Sequence, residues 1–183
     1  MSYEAALQKS WEELGKLNPG KILTVKFLVD EYTVDFGEKK VFSSSCNVPA
    51  KDFVTILILH YLIPRLKGMP SLTGEWLTFK ELSGIEGYYS AFRNRAIEPI
   101  IRKYGSHPEA MLAALDRLPA KRVDQADLAI VLEAFEGVPL LITFWRGDEE
   151  FGPEVNMLFD KSITRIFSTE DTVVLAGFVA GQI

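Results

Sequence analysis

The chain has 183 residues, 48% of them hydrophobic and 25% charged, which is globular composition with enough apolar material for one substantial core and none of the bias that keeps segments disordered. Its net charge of −5 argues against broad electrostatic capture of nucleic acid, which needs a basic stripe to displace phosphate counterions. A single cysteine, Cys46, excludes an intramolecular disulfide and any thiolate cluster for zinc or iron-sulfur within the chain.

The opening residues from Met1 carry neither a basic nor an apolar signal region, so no secretory signal is expected. Ala6, Leu7, Trp11, Leu14 and Leu17 recur at helical spacing over Ser2 to Leu17, and Asn18-Pro19-Gly20 ends the pattern, which predicts an amphipathic N-terminal helix. Alternation through Leu23 to Val29, Tyr32 to Phe36 and Val41-Phe42 predicts a three-stranded meander. Lys51 to Leu66 is apolar around nearly its whole circumference. It reads as a central helix buried on most sides and stopped by Pro64 and Gly68. The uninterrupted apolar run Phe53 to Ile63 is about half of the ~20 residues a membrane crossing needs, so no membrane partner and a cytoplasmic location are expected.

A short strand near Trp76 to Phe79 follows a turn-rich stretch. Tyr88, Phe92, Ala96, Ile100 and Tyr104 stand four apart and predict one helical face that Pro99 must kink or divide. Ser106-His-Pro-Glu109 has capping-box form and opens a short helix through Leu118. Strands are expected at about Ala126 to Ala134, Pro139 to Trp145 and Val155 to Phe159. Ser168-Thr-Glu-Asp171 caps a C-terminal helix. These elements predict a single α+β domain over residues 1–183, with a mostly antiparallel sheet of five or six strands, a buried central helix and packed terminal helices.

The densest group of usable side chains is the turn Arg146-Gly-Asp-Glu-Glu-Phe-Gly152. Asp148, Glu149 and Glu150, with Asp160 beyond, can supply oxygen ligands to a hard cation. The alternative is a solvated hairpin tip whose acids keep the sheet from pairing with other chains. His60 is the one histidine in an apolar helix and fits a base, a ligand or a core histidine satisfied by one contact. Glu75 and Trp76 can bind the edge and face of a planar ligand, or Trp76 covers the sheet while Glu75 pairs with Arg93 or Arg95. Arg93 and Arg95, with Lys80 before them, suit a phosphate or carboxylate clamp, or surface ion pairs; two positions apart, they do not share a face. Cys46 lacks a neighbouring base in sequence, although His60 can reach it through the fold.

Leu59-His-Tyr-Leu62, Leu72-Thr-Gly-Glu-Trp-Leu-Thr-Phe-Lys-Glu-Leu82, Phe92-Arg-Asn-Arg-Ala-Ile-Glu-Pro99, Phe144-Trp-Arg-Gly-Asp-Glu-Glu-Phe151, Leu158-Phe-Asp160 and Thr169-Glu-Asp171 together resemble domain-of-unknown-function family 3786 of anaerobic bacteria and archaea. Arg146, where an acid is expected, and Ser168, where proline is expected, depart from that pattern. The resemblance implies a setting in anaerobic one-carbon and corrinoid metabolism; no reaction, cofactor or catalytic residue comes with it. Two functions follow. One is a binding or accessory module using Glu75, Trp76, Arg93, Arg95 and His60, with a small molecule or a protein as its partner. The other is a metal-assisted or acid-base enzyme in which Asp148, Glu150 and Asp160 work with His60. Cofactor and oligomeric state stay open.

Overall fold

The computed structural model describes residues 3–183, and the chain folds into two compact units, one up to Ser71 and one from Leu72 to Ile183. The first unit holds helix α1 (Tyr3–Lys16), strands β1 (Ile22–Phe27), β2 (Asp30–Asp35), β3 (Lys40–Ser43) and β4 (Val48–Pro49), and helix α2 (Asp52–Gly68). Ser2, at the start of the expected first helix, lies outside the described residues. The strands pair antiparallel in the order β1-β2-β3-β4, so the meander gains a two-residue fourth strand too short to read in sequence. Val25, Phe27, Tyr32, Val34 and Val41 alternate inward, as a sheet with one buried face requires.

Helix α2 buries Val54 to Leu59 together with Tyr61 and Leu62. It does not stop at Pro64 but carries it and continues to Gly68. A proline in a helix forfeits one i→i−4 bond, and the burial of this apolar helix outweighs that loss. Gly68, at φ +112°, ends it in a backbone region that side chains with a Cβ rarely adopt. Helix α1 packs on α2 through buried Trp11 and Leu14. Trp11 meets Phe36 of the meander edge to face, 5.8 Å between ring centres.

The second unit begins with β5 (Trp76–Thr78) and a 3-10 turn, Phe79–Glu81. The helical segment that follows is α3 (Tyr89–Phe92), a π turn (Arg93–Ile97) and α4 (Glu98–Tyr104). A nine-residue 3-10 helix, Pro108–Asp116, replaces the regular helix expected there. Strands β6 (Ala120–Val123), β7 (Leu128–Phe135), β8 (Val138–Trp145) and β9 (Glu154–Asp160) lead through a 3-10 turn to helix α5 (Thr169–Gln182). They form a second antiparallel sheet, β5-β9-β8-β7-β6. The α+β class and the antiparallel pairing hold, with the strands shared between two sheets of four and five. β6 escaped the sequence because its exposed centre, Lys121-Arg122, breaks the apolar pattern.

The π turn follows from spacing. Twelve residues separate Phe92 from Tyr104, and at 3.6 residues per turn they would overshoot a common face. One residue absorbed by a π bulge leaves about three whole turns. Phe92, Ala96, Ile100 and Tyr104 are accordingly all buried. Pro99, near the start of α4, lacks the N–H that a continuous α-helix would need there. Helix α5 crosses the π turn at Gly177, where an added Cβ would lie 3.2 Å from Arg95 Cβ.

Among the described residues, no helix is long and apolar enough to cross a membrane.

Candidate functional site

The second unit contains a cleft of about 420 Å³, within the range of small-ligand sites. One wall is Pro153 with the first half of β9, Glu154 to Met157, and the other is the helical segment, presenting Phe92, Ile97 and Ile101. Phe79 stacks on Phe92 with ring centres 4.2 Å apart and planes 5° from parallel. Thr78 and Glu81 hold the turn carrying Phe79 and Lys80 in a capping box, in which the Glu81 carboxylate accepts from Thr78 N at 2.7 Å and Oγ1 at 2.8 Å. Those two bonds keep the Glu81 carboxyl below its ordinary range.

The rim is polar and carries two cations. Lys80 Nζ sits 4.9 Å from the Tyr89 ring centre, a cation-π contact at an exposed tyrosine. Arg93 donates from Nε to Glu98 at 2.7 Å. That bond and the Glu98 charge, helped by Tyr89, hold the guanidinium firmly protonated. Arg93 is thus held at the rim by both Glu98 and Tyr89. Asn156, on the β9 wall, donates to Glu154 at 3.0 Å. A cleft that mixes apolar and polar side chains, with cations at its mouth, suits a ligand that joins an apolar body to an acidic group.

Of the residues singled out in sequence, Arg93 and Lys80 line this cleft and Glu75, Trp76, Arg95 and the turn acids do not. Glu75 pairs with Lys161 at 2.9 Å rather than with either arginine. Trp76 is half-buried in β5, opposite Asp160. Arg95 is exposed, its Cβ beside Gly177. His60 belongs to the first unit, where its Nε2 lies 3.0 Å from Ser10 Oγ. The Ser10 Oγ also lies 2.8 Å from the Ala6 carbonyl, so one hydroxyl joins the His60 ring to the main chain of α1. That places it as a helix-to-helix tie. Cys46 is exposed, and its N–H donates to Ser43 Oγ at 3.3 Å.

The four acids read as a cation set do not come together. Asp148 Oδ1 accepts the Glu150 and Phe151 N–H groups at 2.8 Å each, and the Phe151 and Glu150 bonds lower its carboxyl below the ordinary range. Asp148 N in turn reaches the Phe151 carbonyl at 2.8 Å. Gly147 is required here, because a Cβ would stand 2.8 Å from that same oxygen. Arg146 pairs with Glu109 at the surface. Glu149 and Glu150 are exposed. Asp160 ends β9, whose opposite end leads back to the acidic turn, a separation along the strand of about 20 Å at ~3.3 Å per residue. Among the described residues, no three His, Cys, Asp or Glu side chains converge as metal ligands.

Asp160 is buried and fully engaged. Its carboxylate accepts from Thr73 N at 3.1 Å, Thr73 Oγ1 at 3.1 Å, Gly74 N at 2.8 Å and Ser162 N at 2.9 Å. Burial pushes the carboxyl up, but bonds from Ser162, Thr73 and Gly74 outweigh it and hold the group at about 2. It staples the Thr73-Gly74 loop to the end of β9.

The family model described as Domain of unknown function (DUF3786) matches residues 7–182. The chain belongs to this family. No curated protein and no solved structure matches it. Several of the segments that gave the resemblance meet in the fold of this DUF3786 domain. Thr73-Gly74 and Asp160 are bonded together, Thr78 to Lys80 and Phe92, Arg93 and Ile97 line the cleft, and Asp171 caps α5. Ser168 is the N-cap itself, accepting from Asp171 N at 3.1 Å and donating to Asp171 Oδ2 at 2.6 Å.

Tyr89, Ile97, Ile101, Asn156 and Met157 line the cleft without having stood out in sequence, because stretches distant along the chain bring them together.

Proposed function

We propose that this DUF3786 protein is a non-catalytic binding or accessory module, set in anaerobic metabolism as the family resemblance implies, and that it takes its ligand in the cleft between β9 and the helical segment. The observation that carries this reading is the cleft itself, about 420 Å³ with aromatic and aliphatic walls and Lys80 and Arg93 at its mouth. Apolar side chains interleaved with a few polar and charged groups are the make-up of a site that binds and orients. A nucleophile with a base beside it, or a carboxylate pair, is what a catalytic reading would require. Here the carboxylates are engaged otherwise, Asp160 in a staple, Asp148 in a turn and Glu98 on Arg93.

The test is mass spectrometry of small molecules retained by protein purified anaerobically from its native host, with an Ile101→Trp variant whose indole fills the cleft. The wild type retains a molecule that the variant loses while its circular dichroism is unchanged. Empty wild type, or equal retention by both, overturns the reading.

A further inference from the structure

The cleft is a trough with unlike charges at its two ends. At one end Lys80 Nζ lies 4.9 Å from the Tyr89 ring centre, two residues after Thr78, which pairs with Leu158 of β9. At the other, Gly105 N donates to the Ile101 carbonyl at 2.7 Å, and a Cβ on Gly105 would lie 3.3 Å from Pro153 Cγ, just before β9. The helical segment and β9 therefore run in opposite directions along the cleft, with Tyr89 beside Lys80 and Ile101 beside Pro153 and Glu154. From Tyr89 to Ile101 is roughly 18 Å at ~1.5 Å per residue, and from Glu154 to Leu158 roughly 13 Å at ~3.3 Å per residue. Lys80 is exposed and pairs with no acid among the described residues. Glu81 and Glu98 are bonded to Thr78 and Arg93 and lie outside the cleft lining. Glu154 is exposed, accepts from Asn156 Nδ2 at 3.0 Å, and meets no cation among the described residues. Between these ends the reachable apolar surface is that of Tyr89, Ile101 and Pro153.

Resting on the reading of this cleft as the binding site, we infer that its ligand is an elongated zwitterion, with a carboxylate at Lys80, an apolar stem along Ile101 and Pro153, and an amine at Glu154. The wall lengths, less the reach of the side chains, set the two heads on the order of 10–15 Å apart. An α-amino acid carries both charges on one carbon and is too short to touch both ends. A fatty carboxylate leaves Glu154 without a partner, and a dicarboxylate sets a like charge against it. Glu98 already offsets the charge of Arg93 at 2.7 Å, so the cationic end holds little more than the single charge of Lys80 and matches a carboxylate better than a phosphate dianion. Every group in this arrangement is an exposed or half-buried side chain, and the main chain of β9 takes no part.

The probes are ω-amino acids from 4-aminobutanoate to 12-aminododecanoate, with length-matched alkanoates and dicarboxylates, titrated calorimetrically into the full-length protein. Affinity is expected to peak near 10-aminodecanoate, to exceed that for the matched dicarboxylate by roughly fivefold, and to weaken with added salt. Glu154→Lys should reverse the order, so that decanedioate binds more tightly than 10-aminodecanoate. The length series uses wild-type protein and so does not depend on any variant folding. Affinity that rises steadily with each methylene reports apolar burial alone and overturns the proposal. Equal binding of amino acids and dicarboxylates, an unchanged preference in folded Glu154→Lys, or no binding of the series at millimolar concentration overturns it as well. A molecule retained from the native host without binding of the series sinks the zwitterion and leaves the binding module standing; failure of both sinks both.

Discussion

Asp160 shows why an acid in a promising position need not be a chemical group. A carboxylate that accepts four N–H and O–H donors inside the fold has no lone pairs directed at a ligand, and its depressed pKa records how much the fold gains from its charge. At an ordinary value of 3.8 against about 2 in the fold, the linkage is worth about 2 kcal/mol. Because the folded value is the lower one, that stabilisation is fully present above about pH 4 and is lost as pH falls from there toward 2. Asp160→Asn keeps the shape but loses the charge and one acceptor. Urea denaturation should find it less stable by about 2 kcal/mol at pH 7, with the difference from wild type shrinking as pH falls toward 2. A difference independent of pH would mean that the charge of Asp160 does not hold the Thr73-Gly74 loop.

At the scale of elements, the meeting of α5 with the π turn sets the helical wall of the cleft, since the same segment carries Arg93 and Ile97. Gly177 permits that approach, with its hypothetical Cβ 3.2 Å from Arg95 Cβ. A glycine within a helix ordinarily costs about 1 kcal/mol relative to alanine. Gly177→Ala should recover little of it, and Gly177→Val, which forces the helices apart, should destabilise by roughly 1–3 kcal/mol; equilibrium unfolding measures both. A gain in stability from valine would show that the contact is loose. The recurrence of apolar residues every four positions from Phe92 to Tyr104 carried this geometry in plain view, because that spacing overshoots an α-helix. Pro99 drew attention to a kink, and the spacing itself called for the inserted residue. The turn acids misled for the opposite reason. Their density suggested a common ligand, but strand geometry sends Asp160 to the far end of β9, and no local pattern announces which donors will surround a carboxylate.

For the whole chain, a net charge of −5 draws divalent cations into a diffuse atmosphere whatever the fold, so a bare thermal shift on adding calcium or magnesium distinguishes nothing. Specific binding stabilises the folded state by mass action at a defined site, and calcium needs six to eight oxygens converging on one point. The exposed Glu149 and Glu150 lie on a turn whose Asp148 is already bonded to main-chain N–H groups, and Asp160 is spent elsewhere in the sheet. Screening acts equally on any exposed acid, so matched ionic strength with sodium chloride removes the diffuse effect. Under that control, millimolar calcium or magnesium should move the melting temperature of the wild type no more than it moves that of an Asp148→Asn, Glu150→Gln double variant. Asparagine at 148 preserves the turn, because its side-chain oxygen still accepts from the Glu150 and Phe151 N–H groups. A cation-specific rise in the wild type that the double variant loses would restore the turn as a metal site and, with it, the enzymatic reading of this domain.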